Sequence, residues 1–128
     1  MNKKKIDIEY TMNTTSGKML WEVISSPIYL SEWFADEVQF DDEIATFRWG
    51  KNEIREADII KVRPCSCIRF KWRDDELEDS YFEMKINHTE LTDDYILSVV
   101  DFAEEGETDD LISLWDTQMS NLRRKYGF

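Results

Sequence analysis

The sequence predicts an α+β fold: a curved antiparallel sheet of about seven strands wrapped around a long C-terminal helix, with two short helices after the first strand. Three observations lead there. Residues 108–128 space their apolar side chains at the period of a helix, and residues 36–102 space theirs at the period of a strand. The connections between the alternating stretches are short, which favours antiparallel pairing. A sheet with one apolar face also needs a cover, and residues 108–128 form the one stretch large enough to supply it.

Each element has a local reason. Residues 5–12 alternate, with Ile6, Ile8, Tyr10 and Met12 on one side and Asp7, Glu9 and Thr11 on the other, as a half-buried strand requires. Thr14, Thr15, Ser16 and Gly17 break the strand and offer helix caps. Leu20, Trp21, Val23 and Ile24 mark a short helix. Ser26 and Pro27 restart the chain as N-cap and first helical residue, and Ile28, Leu30, Trp33 and Phe34 give the second helix its apolar side. From Asp36 the period becomes two. Val38 and Phe40 lead into a turn at 41–43, and further strands follow at 44–49, 53–62, 66–72, 80–88 and 94–102. Phe47 and Trp49 share one strand face, as do Ile68, Phe70 and Trp72, and then Phe82, Met84, Ile86 and His88. Residues 73–79 are a solvated acidic loop.

In the last stretch Thr108 is the expected N-cap. Asp109 and Asp110 stand early and Arg123, Arg124 and Lys125 late, so the charges oppose the helix dipole at both ends. At 100° per residue, Leu111, Ile112, Trp115, Met119, Leu122 and Tyr126 fall within an arc of roughly 100°, the width of a core-facing stripe, and Leu114 lies off it. Gly127 supplies the stop.

Bulk properties bound the function. A chain of 128 residues is one domain, residues 1–128, with enough length for a core that needs no staples. Aromatic residues make up 13%, which argues for a packed interior and against disorder. A formal charge of −12 repels phosphate, so nucleic acid and anionic membrane are poor partners. No secretory signal and no membrane-length apolar run is visible, so the cytoplasm is the expected location. Cys65 and Cys67 stand two apart on a strand, a spacing poorly suited to a disulfide, and with a single histidine they make no zinc site. No metal and no cofactor is expected. The acidic loops lack the ligand spacing and central glycine of a calcium loop.

The order of elements, together with certain local text, resembles a START-like domain of the SRPBCC, or helix-grip, superfamily. The text comprises Leu20-Trp21-Glu22-Val23-Ile24-Ser25, Leu30-Ser31-Glu32-Trp33-Phe34-Ala35-Asp36, Phe47-Arg48-Trp49-Gly50, Phe70-Lys71-Trp72, Asp101-Phe102-Ala103-Glu104 and Leu114-Trp115-Asp116. The Trp33-Phe34 segment is similar to the branch of heat-shock-protein ATPase activator homologues. The resemblance implies an apolar or lipid-like ligand held between the long helix and the sheet. Other relatives are cyclases or hydrolases, or bind partner proteins.

The candidate ligand-binding residues follow from convergence. If the sheet wraps the helix, Trp49, Phe70, Trp72 and Phe82 meet Trp115 and Met119, with Phe47 beside them, while Trp33 and Phe34 gate the mouth. His88, the single histidine, completes the set at the end of the Phe82-Met84-Ile86 face. The same rings can equally be the core, since an aromatic on an alternating strand is first of all packing. Alternation turns Arg48 and Arg69 outward, away from any ligand. No catalytic residue is assigned, because the inward positions so identified offer His88 and little else. The leading expectation is a non-catalytic module for an apolar or amphipathic small molecule. The alternative is a co-chaperone-like or homodimeric interaction module with a filled core. A hydrolase or cyclase ranks third.

Overall fold

The computed structural model describes residues 3–75 and 79–128, so 76–78 of the acidic loop lie outside the described residues. The strands are β1 (Lys4–Met12), β2 (Glu37–Asp41), β3 (Ile44–Trp49), β4 (Glu53–Arg63), β5 (Cys67–Trp72), β6 (Phe82–Thr89) and β7 (Asp94–Ala103). The helices are α1 (Gly17–Ser25), α2 (Pro27–Trp33) and α3 (Thr108–Tyr126). The strands form one seven-stranded antiparallel sheet in the order β1-β7-β6-β5-β4-β3-β2. The curved sheet wraps α3, so the helix-grip architecture holds. One residue of β4 is extra between Ile59 and Lys61, a bulge that bends the strand.

The helix ends show why the chain turns where it does. Ser16 caps α1 by accepting from the Met19 N–H at 3.1 Å. Ser26 is the N-cap of α2 as expected, but its side chain makes no capping bond, and Pro27 stands at the start of the helix. Pro27 also lacks the N–H that a continuing helix would offer to the Val23 carbonyl. The Trp33 indole N–H replaces it at 2.9 Å and locks α1 to α2. Ile28 departs from its expected place: α2 buries Leu30 and Trp33 and leaves Ile28 74% exposed. Seven residues turn too few times to bury every apolar side chain.

In α3 the N-cap is Glu107, with no side-chain capping bond, and not Thr108. A tight turn from the Glu104 carbonyl to the Glu107 N–H starts the helix one residue early. Trp115, Met119 and Leu122 are buried on its inner face, and Leu111, Ile112 and Tyr126 are half-buried. Gly127 adopts φ 72°, returns its N–H to Arg123, and lets Phe128 turn back. The Asn13 N–H then donates to the Phe128 carbonyl at 2.6 Å, tying the end of α3 to the end of β1.

The core lies between α3 and the concave face. Phe47, Phe70, Phe82, Met84 and Leu97 are all but inaccessible there. Phe34, at the end of α2, is the ring through which they meet the helix, with centroids 5.2 Å from Phe47, 5.9 Å from Phe82 and 5.9 Å from Trp115. Edge-on, stacked and tilted pairs of this kind suit the ring quadrupole and fill space at interior density.

Candidate functional site

The strand register opens a gap at one end of the grip. Pairing of β5 with β6 stops at Phe70–Phe82, and pairing of β6 with β7 stops at Glu83–Val100. Yet β5 runs on to Trp72 and β7 to Ala103. Among the described residues no strand lies between those two overhangs. The space is a cleft of about 660 Å³ under the first turns of α3.

Its walls follow from alternation. Trp49, Trp72 and Phe82 face inward from β3, β5 and β6, with Phe34 and Trp115 behind them and Leu111 and Leu114 along α3. Trp49 is fixed by its indole N–H, which donates to the Phe34 carbonyl at 2.9 Å; the Gln118 amide donates to the same oxygen at 2.9 Å. Phe34, Trp49 and Gln118 form a partition: beyond it lies a second, more polar cleft of about 540 Å³, bordered by Glu32, Asp36, Arg124 and Lys125.

The polar part of the first cleft centres on Asp101. It shares the inward face of β7 with Leu97 and Val99 and pairs in register with Ile6. One carboxylate oxygen accepts from the Trp115 indole N–H at 2.8 Å, the other from the Phe102 backbone N–H at 2.7 Å. Burial raises its carboxyl above the ordinary aspartate value, and those two donors, with Lys3 and Arg55 farther off, pull it partly back. Arg55 is also inward, opposite Phe47 in register. Its guanidinium lies 3.9 Å from the centroid of Trp72 and grips Asp74 through two bonds of 2.9 and 2.8 Å. The pair holds the Asp74 carboxyl below its usual range. Lys3 meets Asp75 at 3.0 Å, and Ser80 donates to the same carboxylate.

Of the nine residues expected at the site, Phe34, Trp49, Trp72, Phe82 and Trp115 border this cleft. The other four do not. Phe70 and Met119 are sealed inside the core at 0% and 1% exposure. Trp33 is spent on the α1–α2 lock and borders only the second cleft. His88 is exposed in the β6–β7 hairpin, stacked on Tyr95 and bonded to Asp93 at 2.7 Å, because the face it continues runs past the end of the core. Arg48 and Arg69 point outward to Glu37 and Glu83. Asp101 and Arg55 are inward polar groups at this cleft that were not among the expected site residues. Counting by twos back from Ala57 and forward from Val99 reaches both. Among the described residues no three His, Cys, Asp or Glu side chains converge to hold a metal, and no helix is long and apolar enough to cross a membrane.

A helix gripped by an antiparallel sheet, with an apolar cleft at one end of the grip, defines the class. The chain belongs to the START-like superfamily, whose domain model matches residues 1–127. A Bacteroides fragilis protein solved by NMR in solution is 53% identical, covering 100% of this chain and 94% of its own, with a TM-score of 0.70. The Aha1 dimer from Colwellia psychrerythraea superposes with a TM-score of 0.75 at 11% identity, over 93% of this chain and 92% of its own. CalU16 from Micromonospora echinospora does so at 0.73 and 19% identity, over 94% and 74%. At such identities the last two share the fold alone. No curated protein matches the chain.

Proposed function

We propose that this protein is a non-catalytic START-like module that takes an amphipathic small molecule into the cleft between the start of α3 and the overhanging ends of β5 and β7. The observation that carries the reading is a 660 Å³ cleft walled by Trp49 and Trp72, beside an interior otherwise filled by rings. A ligand's apolar body gains roughly 25 cal/mol per Å² of surface removed from water against such a wall. Asp101 and Arg55 give the polar end a place to settle. A cytoplasmic location belongs to the same reading.

The test uses N-phenyl-1-naphthylamine, a neutral apolar fluorophore. The expected result is saturable 1:1 binding with energy transfer from tryptophan, weakened about tenfold or more in Trp49→Ala and Trp72→Ala, which corresponds to about 1.4 kcal/mol. Absence of saturable binding, or binding indifferent to both changes, overturns the reading.

The filled interior favours a second reading, a protein-interaction or homodimeric module, and a structural neighbour is itself described as a dimer. Light scattering across a range of concentrations separates the two: a mass of twice 15.3 kDa supports the second.

A further inference from the structure

We propose that the cleft selects a cationic amphiphile, its ammonium head beside Asp101 and its apolar tail along Trp49 and Trp72; this rests on the small-molecule reading and specifies its ligand. Glu53, Asp75, Asp101, Glu104, Glu107 and Asp110 border the cleft, against the two basic residues Lys3 and Arg55. Each base is already paired with a carboxylate. Arg55 is engaged twice by Asp74, and Lys3 is engaged by Asp75. An anionic head would have to share a base with a carboxylate already bound to it and sit among surplus carboxylates, in a chain whose formal charge is already −12.

Asp101 differs from the other acids. Its bonds come from neutral donors, Trp115 and the Phe102 N–H, and among the described residues no base forms an ion pair with it. An ammonium group placed beside it would pair with Asp101 directly, where Lys3 and Arg55 act only from farther off, in a partly desolvated site where a charge pair acts more strongly than at the surface. The aromatic wall has the same preference. Ring faces attract cations, and Trp115, bonded to Asp101, is the ring nearest the head. The N-terminus of α3 has the opposite preference, but Glu107, Asp109 and Asp110 occupy it and offset its partial positive charge.

Three ligands with ten-carbon chains, the carboxylate carbon of decanoate included, test the head group: decyltrimethylammonium, decanoate and the neutral decyl maltoside, each below its micelle concentration, by calorimetry at physiological salt. The expected order is cation, then neutral, then anion, with the cation bound 1:1 and about tenfold or more tighter than decanoate. Asp101→Asn should abolish most of that preference. Glu107→Gln with Asp110→Asn, which leaves the Asp101 hydrogen bonds intact, should reduce it by about two- to threefold, the size of a screened rim charge. Asp41→Asn with Asp42→Asn lowers the net charge equally but lies outside the cleft, and should leave the preference unchanged. Decanoate binding as tightly as the cation overturns the proposal while leaving the small-molecule reading intact. So does an Asp41/Asp42 variant that weakens the cation as much as Asp101→Asn, since bulk charge then explains the effect. Failure of all three ligands to bind removes both proposals.

Discussion

Met119 and Leu122, in the second half of α3, are 1% and 0% exposed, whereas Leu111, on the same apolar stripe two turns earlier, faces an open cleft. One helix and one sheet produce both outcomes. The second half is closed by a further layer. Tyr126 packs edge-on against Tyr29 of α2 and donates to Glu32, and Trp33 ties α2 to α1. Among the described residues the first half has no such layer, and β6 begins too late to fill the space between Trp72 and Asp101. A pocket arises here because β6 starts short of the ends that β5 and β7 reach, without any loss of apolar side chains from the walls.

The largest expected effect contrasts the two halves directly. Phe70→Ala at the closed floor should destabilise the protein by about 3–5 kcal/mol, and Trp49→Ala at the half-exposed wall by about half as much. Urea unfolding measures both, and equal losses would erase the distinction. Next, Trp33→Phe keeps the ring but leaves the Val23 carbonyl without its donor, at a cost of about 1–3 kcal/mol with little change in binding at the first cleft.

A pH effect should separate the open end from the rest. The folded carboxyl of Asp101 lies above the ordinary value of 3.8, so its ionised form is the one disfavoured by folding. That penalty is complete above the raised folded value and absent below 3.8. The stability of the wild type relative to Asp101→Asn should therefore improve as pH falls through that window. Paired thermal melts would show it, and a flat difference would place Asp101 in water. The smallest effect is expected at Arg48→Ala, an exposed ion pair with Glu37 on the outer face of the sheet, where no shift in the unfolding midpoint should be detectable.

Much of the fold was readable because alternation and helical spacing report burial directly. Ile6, Tyr10 and Met12 on β1, Phe82 and Met84 on β6, and Trp115, Met119 and Leu122 on α3 are buried as their periods require. The site was readable only in part. Alternation says that a side chain faces inward, but not whether its neighbours close over it, so Phe70 and Trp72 look alike in sequence while one is core and the other wall. The expected cap at Thr108 also failed, since a turn from Glu104 set the start of α3.

By itself the sequence determined the number and order of the elements, the buried face of each, and the acidic character of the whole. Those depend on neighbours within a few positions along the chain and on the total charge. Only the tertiary structure decided where the grip stays open and that Asp101 and Arg55 border the opening. Both depend on where strand pairings end relative to one another, and that offset is set between residues as far apart as Trp72 and Asp101, which no local period records.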